Sequence, residues 1–306
     1  MAPRYLIIGA SGFIGEHLLA ALGRDNAIAT CNRRPVPGGI VFDAAMDRLA
    51  DTVLNHHRGL THAFILHGIT AIDACARDPA GTARVNVEGT QRVIDDLIEH
   101  DIFPVFASSD AVFDGSRALW SEQDPVAPIL TYGRQKAAVE RYLLDRTGSA
   151  LVLRLAKVVS EGAGPNDLLG DWLKQLESAE AVIRCATDQI FSPVAVCDAV
   201  EAFVRLADDG KTGVFHVCGP RPVSRLELLQ MMVEEGSRYR DLPAQIIPCS
   251  IRDFTQFAEA RPFDTSMSAD KLYLALGRNF DDPRETCRKA VASHYAGQAS
   301  QRAHAH

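Results

Sequence analysis

Short, almost unbroken apolar runs alternate with longer stretches of helical periodicity from Arg4 to Leu155. The runs Arg4–Ile8, Ala27–Cys31, Ala63–Leu66, Phe103–Ala107 and Ala150–Leu155 read as strands. Glu16–Leu22, Val85–His100 and Tyr132–Arg146 read as helices, the last ended by Gly148. Strands that alternate with helices in this way imply βαβ units and a parallel sheet. After about residue 158 the pattern loosens. Glu161–Asn166 is rich in Gly and Pro and reads as a loop, Ala195–Ala207 as a helix, and Val214–Cys218 as a short strand ended by Gly219-Pro220. Ser224–Glu235 reads as a helix with Ser224 at its N-cap and Glu227 completing a capping box. The stretch Gly297–His306 is small and polar and is expected to fray. There is no internal repeat and no low-complexity segment.

Composition narrows the class without changing this outline. In 306 residues, 47% are hydrophobic and 23% charged, an ordinary globular balance for one large domain or two coupled ones. A net charge of −7 argues against nucleic acid or an anionic membrane as the main partner, while leaving room for a small anionic ligand held by a few arginines. The seven cysteines are odd in number and form no C-x-x-C pair, which predicts reduced, mostly buried thiols in a cytoplasmic chain. No secretory leader, membrane span or metal site is expected; the histidines near the C-terminus read as tail composition.

The candidate chemistry starts at Gly9-Ala10-Ser11-Gly12-Phe13-Ile14-Gly15, between the first strand and the first helix. In such a loop the first glycine permits a tight turn and the second lets the backbone approach a pyrophosphate. The third lets helix and strand pack closely, and the pyrophosphate rests on the helix N-terminus. The second strand ends in Asn32-Arg33-Arg34 and offers no acid for a ribose diol. Two guanidinium groups suit a 2′-phosphate, so NADP is expected over NAD, with NAD still open. Asp43 is a further candidate, for the adenine; His67 and Gly68, after the third strand, are candidates for the cofactor.

Downstream, Tyr132-Gly-Arg-Gln-Lys136 places a phenol and an ammonium on one helix face. For the phenol to work near neutral pH, about 4 kcal/mol of differential stabilisation is needed, and a lysine one turn away could supply part of it. That lysine could also hold the nicotinamide ribose. Ser109, at the end of a strand, is the natural donor to a substrate oxygen.

These segments resemble the extended short-chain dehydrogenase/reductases, and within them the dTDP-4-dehydrorhamnose reductase-like branch. The resemblance is carried by Ser108-Ser-Asp-Ala-Val-Phe-Asp-Gly115, Asp124-Pro125, Thr131–Lys136, Asn86–Thr90, Leu153-Arg154, Phe215–Pro220 with Ser224, and Arg261-Pro262 followed by Lys271-Leu272. It covers most of residues 4–277. It implies a doubly wound parallel (Rossmann) sheet with a smaller, interleaved C-terminal substrate domain. The dinucleotide-binding part is expected over 1–158 and about 188–218, the substrate part over about 159–187 and 219–296, and a flexible tail over 297–306. The activity implied is NADPH-dependent reduction of a 4-keto-deoxysugar nucleotide, in which Ser109, Tyr132 and Lys136 are catalytic and Asp110 assists. Asn86, Ala111, Lys157 and Arg261 are implied at the substrate, and a homodimer packed through Val85–His100 and Tyr132–Arg146, with Val93, Leu97, Val139 and Leu143 as candidate apolar contacts. The chain departs from the branch at Ala111, where an aromatic is usual, at Lys157, where a Trp follows the Leu-Arg strand, and at Ile65–Gly68, which lacks the usual Asn. A nucleotide-sugar 4-epimerase and a non-catalytic cofactor-binding regulatory subunit stay open as alternatives. A 4,6-dehydratase fits less well, because its acid pair would need Glu at position 111.

Overall fold

Tyr5 and Ile7 point to one side of the first strand and Leu6 and Ile8 to the other, and all four are buried. That is why the run is apolar at every position: it lies at the centre of a sheet covered on both faces. The computed structural model describes residues 4–162 and 167–304, with side chains to residue 298. Its first half runs β1 (Tyr5–Ile8), α1 (Phe13–Leu22), β2 (Ala27–Cys31), β3 (Ile40–Val41), β4 (His62–Ile65), α2 (Ile72–Arg77), α3 (Pro79–Ala83), α4 (Thr90–Glu99), β5 (Phe103–Ser109), α5 (Thr131–Arg146) and β6 (Leu151–Leu155). A π-helical turn, Arg84–Gly89, leads into α4. The second half runs β7 (Val158–Val159), α6 (Leu168–Leu176), β8 (Val182–Ala186), β9 (Ile190–Phe191), β10 (Val194–Ala195), α7 (Val196–Asp208), β11 (Gly213–Val217), β12 (Val223–Ser224), α8 (Arg225–Gly236), β13 (Gln245–Cys249), α9 (Asp270–Leu276) and α10 (Pro283–His304).

Seven strands form one sheet in the order β11-β6-β5-β4-β1-β2-β3, and every pairing is parallel. The chain winds outward from β1 in both directions, so the expected doubly wound sheet is the observed one. Helices α1 and α7 cover one face through Leu18, Phe203 and Leu206. Helices α4 and α5 cover the other through Val93, Leu97, Val139 and Leu143. These four residues are the positions expected at a two-fold interface; they are 1% exposed or less inside the single chain, so intramolecular packing accounts for them.

A second core lies beyond the carboxyl ends of the strands. It joins Trp172 and Leu173 of α6, Ile183 and Cys185 of β8, Leu229 and Met232 of α8, and Cys287 and Val291 of α10. Three details differ from the sequence reading. Helix α9 and Phe280, in the segment expected to belong to the substrate part, return to the sheet: Leu272, Leu276 and Phe280 pack with α1 and α7. Ser224 does cap α8, accepting from the Glu227 N–H, but the Glu227 carboxylate takes a bond from Arg221 at 3.0 Å, so the reciprocal half of the box is replaced by an ion pair. The polar stretch from Gly297 continues α10 as helix to His304, because nothing in it breaks the helix begun at Pro283. Residues 163–166 of the expected Gly/Pro loop, and 305–306, lie outside the described residues. Among the described residues no helix is long and apolar enough to cross a membrane.

Candidate active site

The carboxyl ends of β1, β4, β5 and β6 and the second core enclose one cleft of about 880 Å³. At its sheet end lies the glycine loop. Gly9 has φ +94°, and a Cβ there would lie 2.7 Å from the His67 backbone nitrogen. A Cβ on Gly15 would lie 2.5 Å from the Gly9 carbonyl oxygen, so the two glycines let loop, β4 and α1 close onto one another. Gly12 donates to the Gly9 carbonyl at 3.0 Å and stands at the α1 N-cap with no side-chain cap. The first N–H groups of α1 are therefore left for a ligand, and Gly12, Phe13, Ile14 and Gly15 line the cleft. Gly9 and Ser11 shape this loop without lining it.

Arg33 and Arg34 follow β2 and are exposed. Arg34 pairs with Glu16 of α1 at 2.9 Å, while Arg33 has no ion-pair partner among the described residues. Asp43 turns inward on its own loop and accepts from the Ala45 N–H at 2.9 Å. Gly68 lines the cleft. His67 does not: its Nε2 meets Thr90 Oγ1 at 3.1 Å and its buried Nδ1 has no partner. Burial and the nearby Lys136 push its pKa down to about 4. His67 is a neutral packing residue beneath Gly9, so the cofactor contact expected of its side chain is not the one the fold makes.

Ser109 closes β5. Its hydroxyl donates to Asp110 Oδ1 at 2.9 Å and accepts from the Ala111 N–H at 3.2 Å, while Asp110 Oδ2 accepts from Thr265 at 2.9 Å. Tyr132 sits in the first turn of α5, and Lys136, one turn on, donates to the Ala107 carbonyl at 2.7 Å. A Cβ on Gly133 would lie 2.0 Å from the Ala111 carbonyl oxygen, so this glycine is what lets the start of α5 abut the end of β5. Burial pushes the Lys136 ammonium down to about 8 against the opposing pull of Glu140. The expected depression of the Tyr132 phenol is not found. Burial, then the Asp110 carboxylate, drive it upward, and the Lys136 cation is 5.7 Å from the ring centre and bonded elsewhere. Burial and Asp110 thus favour the protonated phenol. Beneath this group, Glu140 accepts from Arg154 at 2.8 Å and from Ser108, pinning the residue before Ser109; all three are buried.

Asn86 is also placed differently from expectation. Its side chain donates to the Ile69 carbonyl at 2.9 Å and to Gln135 at 2.8 Å, and accepts from the Ile69 N–H at 2.7 Å. It braces the loop after β4 against α5 and does not line the cleft. Ala111, Lys157 and Arg261 do line it. Arg261 pairs with Asp73 at 2.8 Å and lies 4.4 Å over the Phe257 ring. The sequence reading missed Trp172, Arg184, Arg225 and Phe254, which complete the far wall. They come from four segments that only the fold brings together, and no local motif marks them.

Comparison with known proteins gives a consistent likeness. The family model described as RmlD substrate binding domain matches residues 3–296. The dTDP-4-dehydrorhamnose reductase of Mycobacterium tuberculosis is 29% identical, covering 98% of this chain and 94% of its own. A probable low-salt glycan biosynthesis reductase of Haloferax volcanii is 30% identical over 158 residues, about half of each chain (51% and 53%). The crystal structure of the Bacillus anthracis dTDP-4-dehydrorhamnose reductase in complex with NADP superposes with a TM-score of 0.83 at 20% identity, over 94% of this chain and 98% of that one.

Proposed function

Because the chain belongs to the RmlD substrate binding domain family, we propose that it is an NADPH-dependent reductase of a 4-keto sugar, commonly a deoxysugar, carried on a nucleotide. The observation that carries this reading is the convergence of Ser109, Tyr132 and Lys136 with an uncapped helix N-terminus in one cleft. The glycine cradle fits a dinucleotide, since side chains at Gly9 and Gly15 would collide with backbone where the loop must stay thin. NADPH, when bound, supplies the hydride to the carbonyl carbon.

The chain's own residues do the rest. The amides of Gly12–Gly15 hold the pyrophosphate, and Arg33, with Arg34 once it leaves Glu16, takes the 2′-phosphate. Lys136 holds the nicotinamide ribose, Gly68 keeps the adjacent wall thin, and Asp43, whose carboxylate accepts from the Ala45 N–H, would have to turn to reach the adenine. Ser109, poised by Asp110 and the Ala111 N–H, donates to the carbonyl oxygen. Tyr132 gives its phenolic proton to that oxygen as it becomes an alkoxide. A phenol held protonated suits this direction. Ala111 and Arg261 line the sugar's side of the cleft. If the chain forms the homodimer its family resemblance suggests, the outer faces of α4 and α5 must supply the contact, where Leu144 is exposed.

The test follows NADPH oxidation with a panel of 4-keto-sugar nucleotides. Turnover with at least one is expected, and Tyr132→Phe should cut it about a thousandfold while leaving NADPH affinity within twofold. Absence of oxidation with every member, or full activity in Tyr132→Phe, would remove the assignment.

A further inference from the structure

The substrate half of the cleft carries more positive charge than a nucleotide sugar's diphosphate requires. Among the described residues, Asp110 is the one acidic side chain that lines the cleft, and both its oxygens are engaged, by Ser109 and Thr265. Of the cations on the wall, Lys136 belongs to the reaction centre and Arg261 is neutralised by Asp73. Three remain. Arg225 lies over the Trp172 ring at 5.4 Å and Arg184 over the Phe254 ring at 5.4 Å, and among the described residues the only polar partner of either guanidinium is the Asp253 backbone carbonyl, reached by Arg184 at 3.4 Å. Lys157 has no side-chain partner among the described residues, and no acidic side chain occurs in the stretches whose side chains are not described. Asp167, the acid that bears most on Lys157, is committed to the backbone N–H groups of Ser160 and Gly170.

The three cations divide by position. Arg184 and Arg225 are planar forks backed by aromatic rings on the second core, the geometry that suits phosphoryl oxygens. Lys157 lies two residues past Leu155, which stands in register with Ser109, and it feels both Arg225 and Asp110, so it sits between the arginines and the reaction centre. Its side chain is exposed and lines the cleft. Loss of hydration and repulsion from Arg225 lower its pKa, while Asp167, Asp110 and Asp171 pull the other way without an ion-pair contact. A diphosphate bridge carries two negative charges and is matched by the two arginines. The lysine is left over, a cleft-lining ammonium with no carboxylate in ion-pair contact among the described residues.

We propose that the sugar bound beside Tyr132 carries an anionic substituent, a carboxylate of the hexuronate kind, that pairs with Lys157 while Arg184 and Arg225 hold the diphosphate. This rests on the nucleotide-sugar reading above and narrows its substrate class.

The test is calorimetric titration of the NADPH-loaded full chain with UDP-glucose, UDP-glucuronate and their dTDP counterparts, each pair differing only at C6, alongside UDP and dTDP alone. The uronate should bind about tenfold or more tightly than its glucose partner for at least one base. In Lys157→Met that advantage should fall to within twofold, with NADPH affinity kept as the check on folding, and Lys157→Arg should retain most of it. Arg225→Met should weaken the nucleotide alone, which separates a phosphoryl site from a carboxylate site. Equal binding of glucose and glucuronate forms, or an advantage that survives Lys157→Met, overturns the inference while leaving the nucleotide-sugar reading intact. If neither the sugar nucleotides nor the bare nucleotides bind, that reading falls and the inference with it.

Discussion

Lys136 ties two residue-scale properties together. Its ammonium is pushed down to about 8, so it is charged below that pH and loses its proton above it. The charged form is the one that best holds ribose hydroxyls and supports a developing tyrosinate. For NADPH as the varied substrate, kcat/KM reports the groups of the free enzyme. It should therefore fall as pH rises through about 8, with no separate descending limb from Tyr132, whose phenol is driven further up. In Lys136→Arg the cation persists, and the fall near 8 should vanish even though the rate is lower. A flat wild-type profile across that range would remove Lys136's charge from the mechanism. Cofactor choice is decided at the neighbouring arginines. Among the described residues Arg33 pairs with no carboxylate, while Arg34 is held by Glu16. A charge-assisted bond is worth about 1.5–3 kcal/mol. Arg33→Ala should thus weaken NADPH binding by about tenfold or more and leave NADH nearly unchanged. Equal losses for the two cofactors would show that Arg33 does not read the 2′-phosphate.

At the scale of elements, the contact between the start of α5 and the end of β5 aligns Tyr132 with Ser109. It depends on one missing atom: a Cβ on Gly133 would lie 2.0 Å from the Ala111 carbonyl and 3.0 Å from Pro128. Gly133→Ala should force the helix start away from Ser109. Overpacking of this kind costs about 1–3 kcal/mol of stability. Turnover should fall at least about tenfold, by more than NADPH affinity does, since the pyrophosphate cradle lies on α1 and not on the displaced helix. A variant with full turnover would mean that the two elements are not in register through this contact. The same elements show what the sequence discloses. Strands buried on both faces are apolar at every position, and helices keep their 3.6-residue period, so the parallel sheet and the candidates Ser109, Tyr132 and Lys136 are legible in local pattern, while the doubly wound order comes with the family resemblance. Burial was not. The direction of the Tyr132 shift, the neutrality of His67 and the bracing role of Asn86 all depend on which distant side chains close over them. The same holds for Arg184 and Arg225, each unremarkable in its own segment.

The two cores of the whole molecule are stitched together by chain that crosses between them repeatedly. The strap around Asp264–Ser268 bonds both to the loop at Leu119–Trp120 and to Ile190: Trp120 N–H donates to the Ser266 carbonyl at 2.8 Å, and Thr265 N–H to the Ile190 carbonyl at 3.0 Å. Immediately afterwards α9 returns to the sheet, burying Leu272 and Leu276 against α1 and α7, before α10 goes back to the second core. Arg278 ties this return to α7 through Asp198 at 2.6 Å. Neither core can open without stripping apolar surface from a segment anchored in the other. Unfolding should therefore be a single cooperative transition in calorimetry, with the van't Hoff enthalpy matching the measured one. NADPH, whose proposed contacts lie on the sheet side of the cleft, should raise that whole transition. At a concentration about a hundred times its Kd, the added stability is about 2.7 kcal/mol. Two separable transitions, of which NADPH moves only one, would show instead that the second core folds as an independent unit and that the strap and α9 are weaker links than their burial implies.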